Sequence, residues 1–257
     1  MKNLRNITID SVKKMAQLAG VEITQHWKLH ELPLVHHLRR VVDLYRIETI
    51  IDVGANQGQY HDLLRDDVGF SGQIYSFEPV SKYADFLIER ARHDPKWKIF
   101  KCALGSAAGH ADINVTQSPG LNSYLLPKTD AVPGFWKANP ISYEETVEIR
   151  TLDAVFEAEG IDCSKVRTYL KLDTQGFDLE VMKGGKKSLM QIAAMQTEAS
   201  VRPIYENMPT YLEAIECVNG YGFELCSMFP VTYDDALRAI EFDCLFINKK
   251  FSSPANV

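Results

Sequence analysis

The sequence lacks several features that would tie the protein to a membrane or to the secretory pathway. Nowhere in its 257 residues do about 18 uncharged apolar residues follow one another, as a membrane-spanning helix requires. Residues 1–10 also lack the charged-then-apolar pattern of a signal peptide. The five cysteines are odd in number, widely spaced and without a CxxC pair, which is typical of reduced thiols. We therefore expect a cytoplasmic protein with no membrane span.

A strong basic patch is missing as well. The formal net charge is -6, whereas proteins that bind nucleic acids normally present a concentrated face of Lys and Arg. The basic pair Arg39-Arg40 is more simply explained as a solvated helix face. We therefore expect no nucleic-acid partner, whereas self-association into a homo-oligomer stays open.

Two hydrolase motifs are also absent. The sequence contains no GxSxG, and no histidine follows His110, so the later strands cannot supply the Ser, Asp, His order of an α/β-hydrolase. There is no HExxH zinc motif either. These absences argue against a serine hydrolase and a zinc protease of those types.

What the sequence does contain is an alternation of strand and helix patterns. Residues 49–53 are β-branched and precede a glycine loop, as in a strand that is buried on both faces of a parallel sheet. The same reasoning predicts strands at 73–77, 97–103, 167–172 and 192–198, with helices at 82–93 and 210–219. This alternation predicts a doubly wound, Rossmann-like α/β fold. The apolar segments 223–229 and 242–248 are so close that an antiparallel final pair is expected.

The domain organisation follows from the flanking and inserted segments. Residues 1–47 are predicted to form an N-terminal helical extension, because apolar residues recur at helical spacing in 32–46 and more weakly in 9–27. Residues 48–257 are predicted to form the main domain. Within it, residues 105–150 are predicted to be a loop-rich insertion, because they contain Pro119-Gly120 and Pro133-Gly134.

The loop after the first predicted strand points to a ligand with a carboxylate. Backbone amides at a helix start bind anions, and glycines permit close approach. Gly54 and Gly58 give GxxxG spacing, not the GxGxxG that fits a dinucleotide pyrophosphate. Glu78 ends the second predicted strand, where an acidic side chain can accept hydrogen bonds from ribose hydroxyls. The pattern indicates a nucleoside that carries a carboxylate; alternatively, Gly54 and Gly58 only make a tight turn and Glu78 is a solvated strand end.

At this point the sequence resembles the FkbM-type methyltransferases. Three stretches carry the resemblance: residues 51–60, residues 76–79, and residues 172–176 continuing to 182–185. The resemblance implies a seven-stranded class I methyltransferase fold and O-methylation that depends on S-adenosylmethionine. It also implies a small-molecule or saccharide acceptor, such as a sugar or a polyketide-like natural product.

The predicted cofactor contacts combine this resemblance with the loop argument. The expected residues are Asp52, Gly54, Asn56, Gly58, Tyr60, Glu78, Ala103 and Asp173. The sequence departs from the family pattern at two places. Ser118 to Ser123 stand where paired serines after an Asn are expected, and Gln175 replaces the usual acidic residue before a glycine.

Two carboxylates are the predicted catalytic residues. Asp173 and Glu198 end consecutive strands at the carboxyl edge of the sheet, where open α/β sheets place ligands. They can deprotonate an acceptor hydroxyl, or they can hold Mg²⁺ or another divalent cation that lowers the pKa of the hydroxyl. Alternatively, Asp173 only caps the segment from Thr174, and Glu198 pairs with Arg202.

The acceptor wall and the reaction class stay open at this level. The aromatic residues Phe135, Trp136, Tyr143 and Tyr205 are candidates for an acceptor wall, although aromatic residues also anchor long loops. A nicotinamide-dependent oxidoreductase would use the same fold and the same Gly54 loop, but the GxxxG spacing argues against it. A non-catalytic nucleoside-binding module remains the third interpretation.

Overall fold

The computed structural model describes residues 15–16, 18–21, 26–132 and 134–251. Its first complete helix, α1, covers Leu32–Leu44 and has a proline in its first turn, where the missing N–H costs no hydrogen bond. The helix at 32–46 is thus confirmed. Much of the weaker helical prediction at 9–27 lies outside the described residues.

The remaining elements alternate along the chain. The strands are β1 Thr49–Val53, β2 Gln73–Phe77, β3 Trp97–Phe100, β4 Ala103–Leu104, β5 Gly109–Thr116, β6 Ile141–Arg150, β7 Thr168–Leu172, β8 Ala194–Ser200, β9 Phe223–Tyr233 and β10 Ala239–Asn248. The helices are α2 Gln59–Asp62, α3 Ser81–Ala91, α4 Phe135–Ala138, α5 Leu152–Glu159, α6 Asp178–Lys183, α7 Lys186–Leu189 and α8 Tyr211–Gly220. Helix α2 continues as a π-helix over Leu63–Val68.

Seven strands form the main sheet in the order β3-β2-β1-β7-β8-β10-β9. The pairs from β3 to β8 are parallel, and β10 pairs antiparallel with both β8 and β9. This confirms the mostly parallel Rossmann-like sheet and its antiparallel final pair. The strand order reverses beside β1, so the carboxyl ends of β1 and β7 form the crevice where such folds bind ligands.

Apolar residues cover both faces of this sheet. On one face, Ile50 packs in a cluster with buried residues of α1, α2 and α3. On the other face, its neighbour Ile51 packs with buried residues of α5, α6 and α8. Successive strand residues point to opposite faces, so a run that is apolar throughout is the pattern that both layers need.

The insertion at 105–150 differs from its prediction. It contains the long strands β5 and β6, which form a second sheet of three strands in the order β4-β6-β5. The proline and glycine residues that suggested loops lie between these strands, in residues 117–140. The predicted strand at 97–103 accordingly divides: β3 ends at Phe100, and Ala103–Leu104 joins the second sheet.

The helices and the cysteines can be compared with the predictions about membrane spans and reduced thiols. None of the helices in the described residues is long and apolar enough to cross a membrane. All five cysteines carry free thiols, as expected for reduced cysteines.

Candidate active site

The crevice begins where the ends of β1 and β7 lie in close contact. Gly54 follows β1 with a left-handed φ of 86°, and a β-carbon at this position would lie 1.8 Å from the carbonyl oxygen of Asp173. The Asp173 N–H donates to the Val53 carbonyl at 3.0 Å. The close approach therefore requires glycine at position 54, both for its φ and for its missing side chain.

A first cleft opens on one side of this contact and has a volume of about 600 Å³ including the part open to solvent. Its lining comes from the ends of the first strands and from the insertion, and includes Gly54, Asn56, Glu78, Ala103, Leu104, Tyr124, Asp173 and Phe177. Five of the predicted cofactor residues therefore line one cleft: Gly54, Asn56, Glu78, Ala103 and Asp173.

Glu78 is the buried acid of the first cleft. Its Oε2 accepts the N–H of Asn56 at 2.7 Å, and its Oε1 accepts the N–H of Val80 at 2.9 Å. Burial raises the pKa of Glu78 to about 8, and the two N–H donors only partly oppose that rise. Each carboxylate oxygen has a second lone pair, so Glu78 is fixed by the backbone and can still accept hydrogen bonds from a ligand.

Two buried polar atoms of the first cleft have no hydrogen-bond partner in the part of the chain that the structure describes. They are Asn56 Oδ1 and the Tyr124 hydroxyl. A buried polar group without a partner costs about 1–3 kcal/mol. The Tyr124 ring is held 4.8 Å from the Phe177 ring, which keeps the hydroxyl in place. These atoms are the kind of unmet donor and acceptor that a polar ligand satisfies.

A second, larger cleft lies on the other side of the same contact. It has a volume of about 1440 Å³ including the part open to solvent, and it shares Gly54, Asn56 and Asp173 with the first cleft. Its other lining residues include Glu31, Leu34, Tyr60, Lys171, Gln196, Glu198, Phe229, Val231 and Asp243. Two ligands, one bound in each cleft, would therefore meet at the end of β7.

Asp173 and Glu198 both face this second cleft, as the sequence predicted, and a glutamine joins them. Gln175 Nε2 donates to Asp173 Oδ1 at 3.2 Å and to Glu198 Oε2 at 2.8 Å. Gln175 Oε1 lies 3.1 Å from the Tyr205 hydroxyl, whose single proton is shared between it and the Leu121 carbonyl at 2.9 Å. A neutral amide therefore occupies the space between the two carboxylates, where a divalent cation was considered.

The side chains around Asp173 and Glu198 give no further support to a metal site. Among the residues that the structure describes, no group of three or more His, Cys, Asp or Glu side chains could hold a metal ion. Asp173 has a cation beside it already, because Lys171 Nζ lies 3.1 Å from its Oδ2. The predicted metal role of Asp173 and Glu198 is therefore not supported by the arrangement of their partners.

The alternative roles of these two acids do not match their contacts either. The segment after β7 is capped by Asp178, not by Asp173, because Asp178 Oδ1 accepts the Thr174 N–H at 2.8 Å. Arg202 pairs with Asp234 at 2.7 Å, not with Glu198. Both acids are therefore free of the structural roles that the sequence left open for them.

Acidic residues of β10 extend this site, and the sequence analysis did not find them. Asp243 lies directly opposite Glu198 in the antiparallel register. Burial raises the pKa of Asp243 to about 6 and that of Glu241 to about 7, and the charge of Asp173 adds to both shifts. Burial, followed by the negative charge of Asp173, also raises the pKa of Glu198 well above its usual range. These buried carboxyl groups at and beside the second cleft therefore hold their protons more tightly than exposed acids do.

Three predicted cofactor residues lie away from the first cleft. Asp52 is fully buried behind it, where its Oδ2 accepts the Ser76 hydroxyl at 3.0 Å. Gly58 lies beneath Arg90 and Trp97 and lines neither cleft, although its φ of 87° begins α2. Tyr60 lines the second cleft instead. Asp52 and Gly58 thus shape the glycine loop from behind.

The four aromatic candidates for an acceptor wall also lie elsewhere. Trp136 and Tyr205 are buried against one another, with ring centroids 5.1 Å apart, and Trp136 Nε1 donates to the Ile204 carbonyl at 2.9 Å. Phe135 packs on Trp136, and Tyr143 is exposed on β6. They anchor the insertion to the loop after β8 or face solvent, and none of them lines either cleft.

Comparisons with known proteins agree with this geometry. A family model described as the methyltransferase FkbM domain matches residues 52–225. The chain is 26% identical over 211 residues to the 2-O-methyltransferase NoeI of Sinorhizobium fredii (strain NBRC 101917 / NGR234), covering 78% of this chain and 79% of that protein.

A solved structure has a similar fold. The crystal structure of methyltransferase FkbM from Methylobacillus flagellatus KT matches with a TM-score of 0.50 at 15% identity. The match covers 78% of this chain and 43% of that one, so the chain spans less than half the length of this structural relative.

The family match decides between the three interpretations that the sequence left open. It covers the Gly54 loop, Glu78, both predicted catalytic acids and most of the parallel sheet. Neither a nicotinamide-dependent oxidoreductase nor a non-catalytic binding module is needed to explain them. The chain belongs to the FkbM methyltransferase family and is an S-adenosylmethionine-dependent methyltransferase.

Proposed function

We propose that the protein transfers a methyl group to a hydroxyl oxygen of a small molecule or of a sugar in a natural-product glycan. The observation that carries this proposal is the meeting of two clefts at Gly54, Asn56 and Asp173. One cleft suits the methyl donor and the other suits the acceptor. The similarity to a 2-O-methyltransferase supports oxygen as the atom that is methylated.

The first cleft fits S-adenosylmethionine by its unmet polar atoms. Asn56 Oδ1 and the Tyr124 hydroxyl have no partner among the described residues, and Glu78 has free lone pairs. We assign Glu78 to the ribose hydroxyls, and Gly54 with Asn56 to the amino-acid tail. The Ala103–Leu104 segment supplies an apolar wall beside adenine. A few fixed polar groups in an otherwise apolar pocket orient the ligand that binds there.

The second cleft fits a hydroxyl-rich acceptor without an anionic group. Its lining includes Asp173, Glu198 and Asp243, which can accept hydrogen bonds from hydroxyl groups, and also apolar Phe229, the cross-strand neighbour of Asp243. A phosphate or carboxylate on the acceptor would face the carboxylates of Asp173 and Asp243, and like charges at short range repel. This supports a small neutral acceptor and argues against a nucleic acid.

The chemistry needs few protein groups. Bound S-adenosylmethionine supplies an electrophilic methyl group, so that the acceptor oxygen forms the new C–O bond while the C–S bond breaks and leaves its electron pair on sulfur. Asp173 receives the hydroxyl proton, and the Gln175 amide holds its carboxylate beside Glu198. Alignment of oxygen and methyl group in a closed site supplies much of the rate enhancement.

The proposal is tested by binding and then by transfer. Isothermal titration with S-adenosylhomocysteine and with NAD should give a dissociation constant for the first compound alone. Wild-type protein with methyl-labelled S-adenosylmethionine should then label members of a panel of methyl hexopyranosides and small alcohols, and the label should resist alkaline hydrolysis, as an ether does. Label on a carboxylate or an amine, or none on any hydroxyl compound, would contradict O-methylation.

A further inference from the structure

Lys171 is a buried cation in the second cleft to which the sequence analysis assigned no role. It is the fourth residue of β7 and only 6% exposed, yet it lines the cleft. Its Nζ lies 3.1 Å from Asp173 Oδ2 and 3.4 Å from Asp52 Oδ1. The other lysine that lines this cleft, Lys28, donates to Asp67 at 2.6 Å. Lys171 is therefore the ammonium group beside the proposed proton acceptor.

The ammonium group has unused hydrogen-bonding capacity in the described structure. It has three N–H donors. One donates to Asp173, whereas Asp52 Oδ1 is within ion-pair distance but accepts no hydrogen bond from the described residues. The Tyr60 ring, with its centroid 5.0 Å from Nζ, covers a further side. A ligand oxygen in the cleft can therefore be the missing acceptor.

Its surroundings keep Lys171 charged. Burial lowers the pKa of the amine, but the carboxylates of Asp173 and Asp52 outweigh burial and raise the pKa above its ordinary value. Asp243 on β10 is a further acid within range of its charge. Lys171 is thus an ammonium ion at neutral pH, and it does not serve as a base.

We propose that Lys171 is a catalytic residue that donates a hydrogen bond to the acceptor oxygen while that oxygen loses its proton to Asp173. The hydroxyl proton moves to the Asp173 carboxylate, and Lys171 keeps all three of its own protons. The ammonium ion stabilises the negative charge that develops on oxygen, which is the task that the sequence analysis considered for a divalent cation. This inference rests on the proposed O-methyl transfer.

A purely structural role for Lys171 makes a different prediction. If Lys171 only neutralises buried Asp52, then removing both charges together should restore activity. The test therefore compares Lys171→Met with the double variant Asp52→Asn/Lys171→Met. In the double variant a neutral amide stands at position 52, so that the loss of the lysine leaves no unpaired carboxylate there. The double variant also guards against misfolding of the single variant, because an unpaired buried charge is strongly destabilising.

We expect both variants to lose about 10²- to 10³-fold in kcat, as when one donor to a developing oxyanion is removed. Their affinity for S-adenosylhomocysteine should stay within about threefold of wild type, and Lys171→Arg should recover part of kcat. EDTA should leave wild-type turnover unchanged. Lys165→Met, an exposed lysine just before β7, is the control and should behave as wild type. Full recovery of kcat in the double variant would overturn the inference.

A spectroscopic readout covers the case in which no variant folds or no acceptor is methylated. In protein labelled with ¹⁵N at lysine Nζ, the Lys171 signal should keep its ammonium shift to pH 10, and it should move when a methylated acceptor is bound with S-adenosylhomocysteine. Deprotonation below pH 9, or an unchanged signal with acceptor, would refute the role. Failure of wild type to methylate any hydroxyl compound contradicts the proposed function instead. In that case the pH titration alone tests whether Lys171 stays charged, as its role requires.

Discussion

The carbonyl oxygen of Asp173 lies 1.8 Å from the point where a β-carbon on Gly54 would begin. A Gly54→Ala substitution must therefore separate the ends of β1 and β7, in addition to the strain of a non-glycine residue at positive φ, which is about 1–2 kcal/mol. We expect at least a tenfold loss in affinity for S-adenosylhomocysteine and a lower Tm, measured by titration and by thermal unfolding.

Gly69→Ala is the matched control for this substitution. Gly69 has a similar φ of 81°, but a β-carbon there meets no atom within 4 Å. It should show only the cost of the backbone conformation and should bind S-adenosylhomocysteine normally. Equal loss of affinity in both variants would mean that the contact between the two strand ends does not matter for binding.

Glu78 should make cofactor binding depend on pH. Its pKa of about 8 in the free protein means that it is mostly protonated at pH 6. Hydrogen bonds from ribose hydroxyls favour the carboxylate, so binding should release a proton and affinity should rise from pH 6 to pH 8. Titrations in buffers with different ionisation enthalpies measure the released proton directly.

Glu78→Gln should weaken binding by about 10- to 100-fold, which corresponds to loss of one hydrogen bond to a charged group, and should remove the pH dependence. Glu89→Gln, on the exposed face of α3, is the control. If the variant keeps the pH dependence of wild type, another group must bind the proton.

Tyr124 should contribute one hydrogen bond to the bound cofactor. Because its buried hydroxyl has no partner among the described residues, Tyr124→Phe should leave the Tm of the free protein unchanged or slightly higher. The affinity for S-adenosylhomocysteine should fall by about 3- to 10-fold, as for a neutral hydrogen bond. Tyr143→Phe, exposed on β6 of the same insertion, should change neither property. Unaltered affinity in Tyr124→Phe would exclude the contact.

The parallel sheet and the first cleft were predictable because their signals are local. Each central strand is a short apolar run, and Gly54 and Glu78 directly follow β1 and β2. The second sheet also left a local signal, since Val147 and Ile149 on β6 alternate with charged residues. Its strands were missed because proline and glycine in the intervening segment were taken to describe the whole insertion.

The second cleft was not predictable in the same way. Asp243 lies beside Glu198 only because β10 enters the sheet between β8 and β9 and pairs in one particular register. Lys171 gave a weak signal, as a charged residue inside an apolar strand two positions before Asp173. Such a residue indicates a buried partner but does not identify it, because the partner, Asp52, lies on another strand.

Asp173→Asn should separate catalysis from binding. The amide cannot accept the hydroxyl proton, so kcat should fall by about 10²- to 10⁴-fold, the usual contribution of a general base. Affinity for S-adenosylhomocysteine should change little, because the first cleft keeps Glu78 and its backbone contacts. Asp235→Asn, an exposed residue between β9 and β10, is the control. A variant with normal turnover would show that Asp173 is not the proton acceptor.

Gln175→Glu should create a cation site between Asp173 and Glu198. The substitution replaces the bridging amide with a third carboxylate between Asp173 and Glu198, and carboxylate oxygens are ligands for Ca²⁺ and Mg²⁺. We expect Ca²⁺ or Mg²⁺ to raise the Tm of the variant and not that of wild type. An equal rise in wild type would mean that the amide does not exclude a cation.

The two clefts differ in where their residues lie along the chain. Glu78, Ala103 and Tyr124 of the first cleft fall inside the segment 52–225 that matches the family model, whereas Leu34, Phe229 and Asp243 of the second fall outside it. A substitution at Leu34, Phe229 or Asp243 can therefore change the lining of the second cleft without replacing any residue that lines the first.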